Sequence, residues 1–185
     1  MIRCDLISKI ITYPNGSTIY ISGVEPYLST NNLFKQLNIK TIISVVSETL
    51  PNMNDFGIHH YVFYLQDNPQ ACLLSILPHV YCILSAAISR GENILVHCHA
   101  GVSRSVSVVI GFFLMALQCH PEWVIPYIPI PGSKKNWVDA CLDYIRVRRP
   151  CANPNPGFVK QLSSFGTSAS RHHPPHHPKY NSINN

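Results

Sequence analysis

The sequence predicts an α/β fold: a single compact domain with a largely parallel central sheet of about four to five strands, flanked by helices. Three observations predict it. Short β-branched and aromatic runs recur along the chain, segments with helical apolar spacing separate them, and the composition calls for a buried core. Of the 185 residues, 46% are hydrophobic and only 12% charged, which is too apolar for a chain disordered throughout. The length suits one domain with a short appendage.

The expected strands are residues 18–21 (TIYI), 41–46 (TIISVV), 61–65 (YVFYL) and 94–97 (ILVH). Between the first two, Leu33, Phe34 and Leu37 follow the capping residues Thr30 and Asn31. Before the fourth, Val80, Ile83, Leu84 and Ala87 recur at i, i+3, i+4, i+7 until Gly91 ends the run. The apolar run 106–117 (VSVVIGFFLMAL) is a further helix. In parallel sheets ligands bind beyond the carboxyl ends of the strands, so chemistry is expected between residue 97 and that helix. Residues 12–165 carry the domain pattern. Residues 166–185 (GTSASRHHPPHHPKYNSINN) have no periodicity and read as a disordered His- and Pro-rich tail.

Lys and Arg number 14 against 9 Asp and Glu, a net charge of +5 that favours anionic partners without the basic density of a nucleic-acid binder. Seven cysteines, an odd number with no C-x-x-C pair, point away from a disulfide scaffold or structural zinc; apart from Cys98 they are expected as small core residues. The start MIRCDLISKI lacks the apolar run of a secretory signal, and no stretch approaches the roughly 20 apolar residues of a membrane span. A reduced cytoplasmic or nuclear protein, neither secreted nor inserted in a membrane, is the expectation.

The segment after the fourth strand reads His97-Cys98-His99-Ala100-Gly101-Val102-Ser103-Arg104-Ser105. A Cys and an Arg six apart are weak evidence alone. The preceding His, a Gly three after the Cys, a Ser after the Arg and the strand-to-helix setting make the constellation specific. Such a loop curls with its backbone N–H groups inward, and the helix N-terminus adds its donors, which suits a phosphate dianion. His99, Ala100, Gly101, Val102, Ser103 and Arg104 are the expected phosphate binders: Gly101 for a conformation that a side chain would obstruct, Arg104 for its planar fork. Cys98 sits at the base of the ring, and His97 is expected to hydrogen-bond beneath the loop and orient it.

An ordinary thiol, with a pKa of about 8.5, is about 3% thiolate at pH 7; a nucleophile needs a shift of about 3 units, roughly 4 kcal/mol. A helix terminus contributes at most about 2 kcal/mol, so hydrogen bonds from the loop and Ser105, with the nearby Arg104, have to supply the rest. The thiolate would attack phosphorus and form a cysteinyl phosphate, with a carboxyl group to protonate the leaving oxygen and later deprotonate water. Among Glu48, Asp55, Asp67 and Glu92, Asp67 directly follows a strand and falls at the loop's edge of the sheet. Its structural alternative is a turn residue in Asp67-Asn68-Pro69. His97 and His99 could share a metal, but without a second ligand cluster no metal is expected. No G-x-x-x-x-G-K or G-x-G-x-x-G occurs, which removes the common nucleotide-binding motifs.

At HCHAGVSRS the sequence resembles the dual-specificity protein phosphatases, the small branch of the cysteine-dependent protein tyrosine phosphatase superfamily. Further motifs carry the resemblance: Ile19-Tyr20-Ile21-Ser22-Gly23, residues 33–46 (LFKQLNIKTIISVV), Asp67 placed 31 residues before Cys98, and residues 148–162 (RRPCANPNPGFVKQL). The resemblance implies Cys98 as nucleophile, Arg104 as ligand of the phosphate and transition state, and Asp67 as general acid and then base. It further implies Ser105 assisting breakdown of the phosphoenzyme, no metal or organic cofactor, and phosphorylated proteins as partners. At this length it implies a shallow site admitting phosphotyrosine, phosphoserine and phosphothreonine.

Uncharged Ala100, Val102 and Ser103 disfavour the phosphoinositide substrates of some relatives. Lys134, Lys135, Arg146, Arg148, Arg149 and Lys160 leave an RNA 5′-triphosphatase as an alternative, with a solvated helix face as the plainer reading. A phosphate-recognition module without turnover is a third reading, against which intact Cys98, Arg104 and Asp67 argue. One feature departs from the family: residues 124–135 (VIPYIPIPGSKK) hold three prolines and a glycine. Residues 124–137, bounded by Trp123-Val124 and Trp137-Val138, are expected to be an insertion that projects from the surface without touching catalysis.

Overall fold

The computed structural model describes residues 6–29, 31–51, 57–132 and 135–170. Thr30, Asp55, Lys134 and tail residues 171–185, all singled out above, lie outside the described residues. The elements run β1 (Ile7–Thr12), β2 (Thr18–Ser22), α1 (Glu25–Ser29), α2 (Asn31–Gln36), β3 (Ile39–Val46), β4 (His59–Tyr64), α3 (Leu77–Ser89), β5 (Asn93–His97), α4 (Arg104–Cys119), α5 (Trp137–Arg148) and α6 (Pro156–Ser170). The strands form one sheet in the order β1-β2-β5-β3-β4, parallel except for β1, which runs antiparallel to β2. The α/β expectation therefore holds, and β5 lies at the centre.

The strand β1 lies before the expected domain start at residue 12. It closes a hairpin with β2 through Asn15-Gly16: Tyr13 N–H donates to Ser17 O at 2.8 Å, and Gly16 has φ +89°. Asn-Gly between β-branched runs is the sequence signal for such a turn. At the other end, α6 continues to Ser170, five residues into the expected tail. Phe158 and Leu162 on α6 are fully buried, so packing against the core carries the helix past residue 165.

One face of the sheet packs with α3, α4, α5 and α6 around Phe112, Phe113, Leu84 and Val96; the other carries a smaller cluster of Phe34, Ile42, Leu95 and Tyr20. As its spacing predicts, α3 stops short of Gly91: it ends at Ser89 with Arg90 as its cap, and Gly91 has φ +71°.

Residues 124–137 depart from the expected surface projection. Val124 and Ile128 are fully buried, Tyr127 meets Tyr13 edge-on at 5.9 Å, and Trp123 stacks on Phe112 at 6.4 Å. The prolines break a continuous helix as expected, but Val124 and Ile128 turn into the core, while Ile125 and Ile130 stay exposed. Trp137 already belongs to α5, which Asn136 caps by accepting the Asp139 N–H at 2.9 Å.

The cysteines also differ from expectation. Cys72, Cys82 and Cys119 are exposed rather than packed inside, because they sit in a loop, on the outer face of α3 and in the last turn of α4. Cys141 is buried, which pushes its thiol up to about 12, and Cys151 is disulfide-bonded. Among the described residues no helix is long and apolar enough to cross a membrane.

Candidate active site

The strand β5 lies between parallel neighbours β2 and β3, so the chain leaves it at the middle of the sheet's carboxyl edge. Residues 98–103 bridge from there to α4, which begins at Arg104. Every carbonyl in the bridge is held from outside. His97 Nδ1 lies 3.4 Å from Cys98 O, and Val24 N–H donates to His99 O at 2.9 Å. Arg149 donates through Nη2 to Ala100 O at 3.4 Å and through Nε to Gly101 O at 2.6 Å. Asn153 N–H donates to Val102 O, and Ser107 N–H to Ser103 O, each at 2.9 Å.

Among the described residues no peptide bond is cis, so each N–H of the loop points opposite to the carbonyl of its own peptide unit. With six consecutive carbonyls turned outward, the N–H groups of His99, Ala100, Gly101, Val102, Ser103 and Arg104 turn into the loop. The resulting concavity of N–H groups is held in shape mainly by donors from distant parts of the chain. Gly101 has φ +67°, and a methyl group there would collide with the Arg149 guanidinium and the Ser22 backbone.

At the base of the cradle, the buried Cys98 Sγ receives Gly101 N–H at 3.2 Å and lies 3.2 Å from Ser105 Oγ. A sulfur at this position can accept from both groups. Arg104 is 6% exposed; it donates through Nη1 to Leu65 O at 3.2 Å, and its buried Nε has no hydrogen-bond partner. An anion in the cradle would satisfy that orphaned donor.

Asp67 approaches the same place, its Oδ2 lying 3.9 Å from Arg104 Nε. Its Oδ1 accepts from Ser103 Oγ at 2.6 Å and from Asn155 Nδ2 at 2.8 Å. Ser103 thus contributes its backbone to the loop while its side chain turns to the carboxylate. Asp67, Cys98, Arg104 and Ser105 are brought together. Glu92 lies at the far end of the sheet, paired with Arg90 at 2.6 Å and Thr41 at 2.6 Å. Glu48 sits at the rim, 3.4 Å from His99 Nδ1; burial opposes its ionisation, but the Ser47 backbone and hydroxyl donors, then His99, hold its carboxyl below the ordinary value.

His97 and His99 do not converge: His97 is buried against Ser44, and His99 is exposed against Glu48. Among the described residues no group of three His, Cys, Asp or Glu could hold a metal ion. The basic excess of residues 133–160 is largely engaged within the chain. Lys135 pairs with Asp143 at 2.6 Å, Arg148 lies over the Tyr144 ring at 3.9 Å, Arg146 donates to Ala152 O at 2.9 Å, and Arg149 is buried under the loop.

No part in shaping this loop or holding Asp67 was evident from sequence for Ser44, Arg149 or Asn155. The signal for the last two was the segment RRPCANPNPGF, legible as a motif although its contacts were not.

A strand-to-helix loop that wraps inward N–H groups around a thiol and a buried arginine is the mark of the cysteine-dependent phosphatase class. The family model "Dual specificity phosphatase, catalytic domain" matches residues 19–168, and the chain belongs to that family. Over 149 residues it is 30% identical to dual specificity protein phosphatase 22 of Xenopus tropicalis, covering 80% of this chain and 62% of that protein. The chain spans 56–62% of the length of three such curated relatives. The Yvh1 phosphatase domain from Chaetomium thermophilum superposes with a TM-score of 0.70 at 25% identity, covering 89% of this chain and 97% of that one. The human tyrosine phosphatase-like serine/threonine/tyrosine-interacting protein shares the fold, with a TM-score of 0.69 at 23% identity over 88% of this chain and 96% of that one.

Proposed function

We propose that this chain is a protein phosphatase hydrolysing phosphotyrosine and phosphoserine or phosphothreonine through a cysteinyl phosphate. The observation that carries the reading is the set of inward-turned loop N–H groups over Cys98 Sγ, beside a buried Arg104 Nε that has no hydrogen-bond partner. In the first step Cys98 thiolate forms the S–P bond as the ester P–O bond breaks, and Asp67 passes its proton to the leaving oxygen. In the second, Asp67 takes a proton from water, the water oxygen bonds phosphorus, and the P–S bond breaks with the sulfur charge relieved by Ser105. The products are the free hydroxyl and inorganic phosphate. Arg104 and the loop N–H groups stabilise the transferring group in both steps.

Phosphorylated proteins are the proposed partners, and reduced Cys98 suits a cytoplasmic or nuclear setting. Engagement of Lys135, Arg146, Arg148 and Arg149 within the chain weighs against an RNA substrate. The uncharged side chains of Ala100, Val102 and Ser103 weigh against inositides. The test is turnover under reducing conditions on an aryl phosphate, then phosphopeptides, phosphoinositides and triphosphate-ended RNA. Phosphopeptide hydrolysis exceeding the other two is expected. No turnover on any of them would leave a phosphate-recognition module.

A further inference from the structure

Three polar side chains meet in a line on the sheet face that carries Ile42 and Leu95. Ser44 Oγ lies 2.6 Å from His97 Nε2 and 2.8 Å from His60 Nε2, while His97 Nδ1 faces the Cys98 carbonyl at 3.4 Å. Strand register places them there. Ser44 stands opposite His97 in the β3–β5 pair, and His60 stands opposite Ile42, two residues before Ser44, in the β3–β4 pair. Period-two alternation therefore sets all three on the face that buries Ile42 and Leu95.

The protons in this line have one consistent order. A hydroxyl carries a single hydrogen, so between two Nε2 atoms it donates to one and accepts from the other. Burial keeps His97 neutral, pushing it down to about 4, so only one of its nitrogens carries a proton near pH 7. A proton on Nε2 would leave the lone pair of Nδ1 against the lone pairs of Cys98 O. The satisfied arrangement is His60 Nε2–H to Ser44 Oγ, Ser44 Oγ–H to His97 Nε2, and His97 Nδ1–H to Cys98 O.

We propose that Ser44 and His60 are positioning residues for the Cys98 nucleophile, acting through a directed hydrogen-bond chain that holds the His97 proton on Nδ1. That proton keeps the first of the six loop carbonyls turned outward. The opposite end of the same peptide is His99 N–H, the first donor of the cradle, and donation into the carbonyl polarises it. The inference rests on Cys98 being the nucleophile. A cavity of about 320 Å³, lined by Gly57, Ile58, His59, His60 and Tyr61, opens the outer end of the chain. Protonating His60 leaves its Nε2–H in place, so the order of donors survives mild acid, whereas deleting the ring removes it. The titratable and charged groups that act on His97 in this line are His60, Glu48 and Arg104.

The test is the pH dependence of inactivation by iodoacetamide, followed as loss of aryl phosphatase activity. In Ser44→Ala the acid limb is expected to move up by about 0.5 to 1 pH unit, the worth of one neutral hydrogen bond. His60→Leu should move it in the same direction by less, and His60→Gln, whose amide can still donate, should restore it. A limb that stays at the wild-type position in folded variants overturns the proposal. So does a shift in His60→Leu that Gln fails to reverse, since that would mark packing alone. If Ser44→Ala does not fold, the His60 pair decides. Failure of the nucleophile assignment shows separately, as turnover surviving in Cys98→Ser.

Discussion

The Ser103 hydroxyl donates to Asp67 Oδ1 across 2.6 Å, while its oxygen accepts the Asn155 N–H at 3.0 Å. Asn155 adds its own side-chain donor to Asp67 Oδ1 at 2.8 Å and caps α6 by accepting Phe158 N–H at 3.0 Å. The candidate general acid is thus fixed both by the phosphate loop and by the first turn of a distant helix. Oδ2 is left as the oxygen nearer the guanidinium of Arg104.

If Asp67 transfers the proton, Asp67→Asn lowers kcat on a phosphopeptide by about 100- to 10,000-fold, the usual worth of a general acid. Ser103→Ala and Asn155→Ala, which leave the carboxyl in place but release it, lower kcat by about 10- to 100-fold with little change in KM. Steady-state kinetics check this. A raised KM at unchanged kcat would make the clamp a binding device.

Gly101 and Arg149 are expected to be intolerant for a shared reason. Gly101→Ala combines φ +67° with a collision against Arg149 and Ser22, so the loop must deform and kcat/KM fall by about 100-fold or more. Arg149→Met leaves the carbonyls of Ala100 and Gly101 without their donors and is expected to cost about 2–4 kcal/mol in urea unfolding.

The Pro-rich segment contributes to stability. Ile128 is fully buried, so Ile128→Ala should destabilise the domain by about 2–4 kcal/mol. The kcat/KM of the remaining folded protein should be unchanged. Urea melts and kinetics on the same sample separate the two effects.

Stability is expected to fall with acidification. The His97 pKa drops in the folded state from 6.5 to about 4 because the ring is buried, and burial lowers His60 as well. Between pH 6.5 and 4 the unfolded chain binds more protons than the folded one, so stability rises with pH across that window. For His97 the loss on going from pH 7 to 4 is about 3 kcal/mol. Glu48 and Glu92, whose carboxyls are held low, act with the same sign at the acid end: their contribution is present above their ordinary values and is lost as pH falls through the lowered ones. Urea midpoints against pH in wild type and His97→Gln check the assignment. An equal slope in both would reject it.

The centre of the molecule was legible in sequence because the signal there is local. ILVH is apolar enough for a central strand, and HCHAGVSRS names the loop by residue type and spacing. Asp67 was found because it directly follows a strand. Legibility ended where long-range register decides. In β1, the bulge between Lys9 and Ile11 breaks clean alternation and masks a hairpin that Asn15-Gly16 announces. Val124 and Ile128 stand among prolines, and nothing local says that they turn inward. Ser44 and His60 lie on different strands, and only the order β5-β3-β4 brings them to His97. Arg149 looked like one more basic residue, yet it is buried on two loop carbonyls.

Acid-quenching the enzyme during turnover of a phosphotyrosine peptide, then locating the covalent phosphate by peptide mass spectrometry, tests the central claim most directly. Phosphate is expected on the peptide bearing Cys98, increased in Ser105→Ala where departure of the sulfur slows, with neither adduct nor turnover in Cys98→Ser. Turnover that persists in Cys98→Ser, or phosphate trapped on another residue, would contradict it.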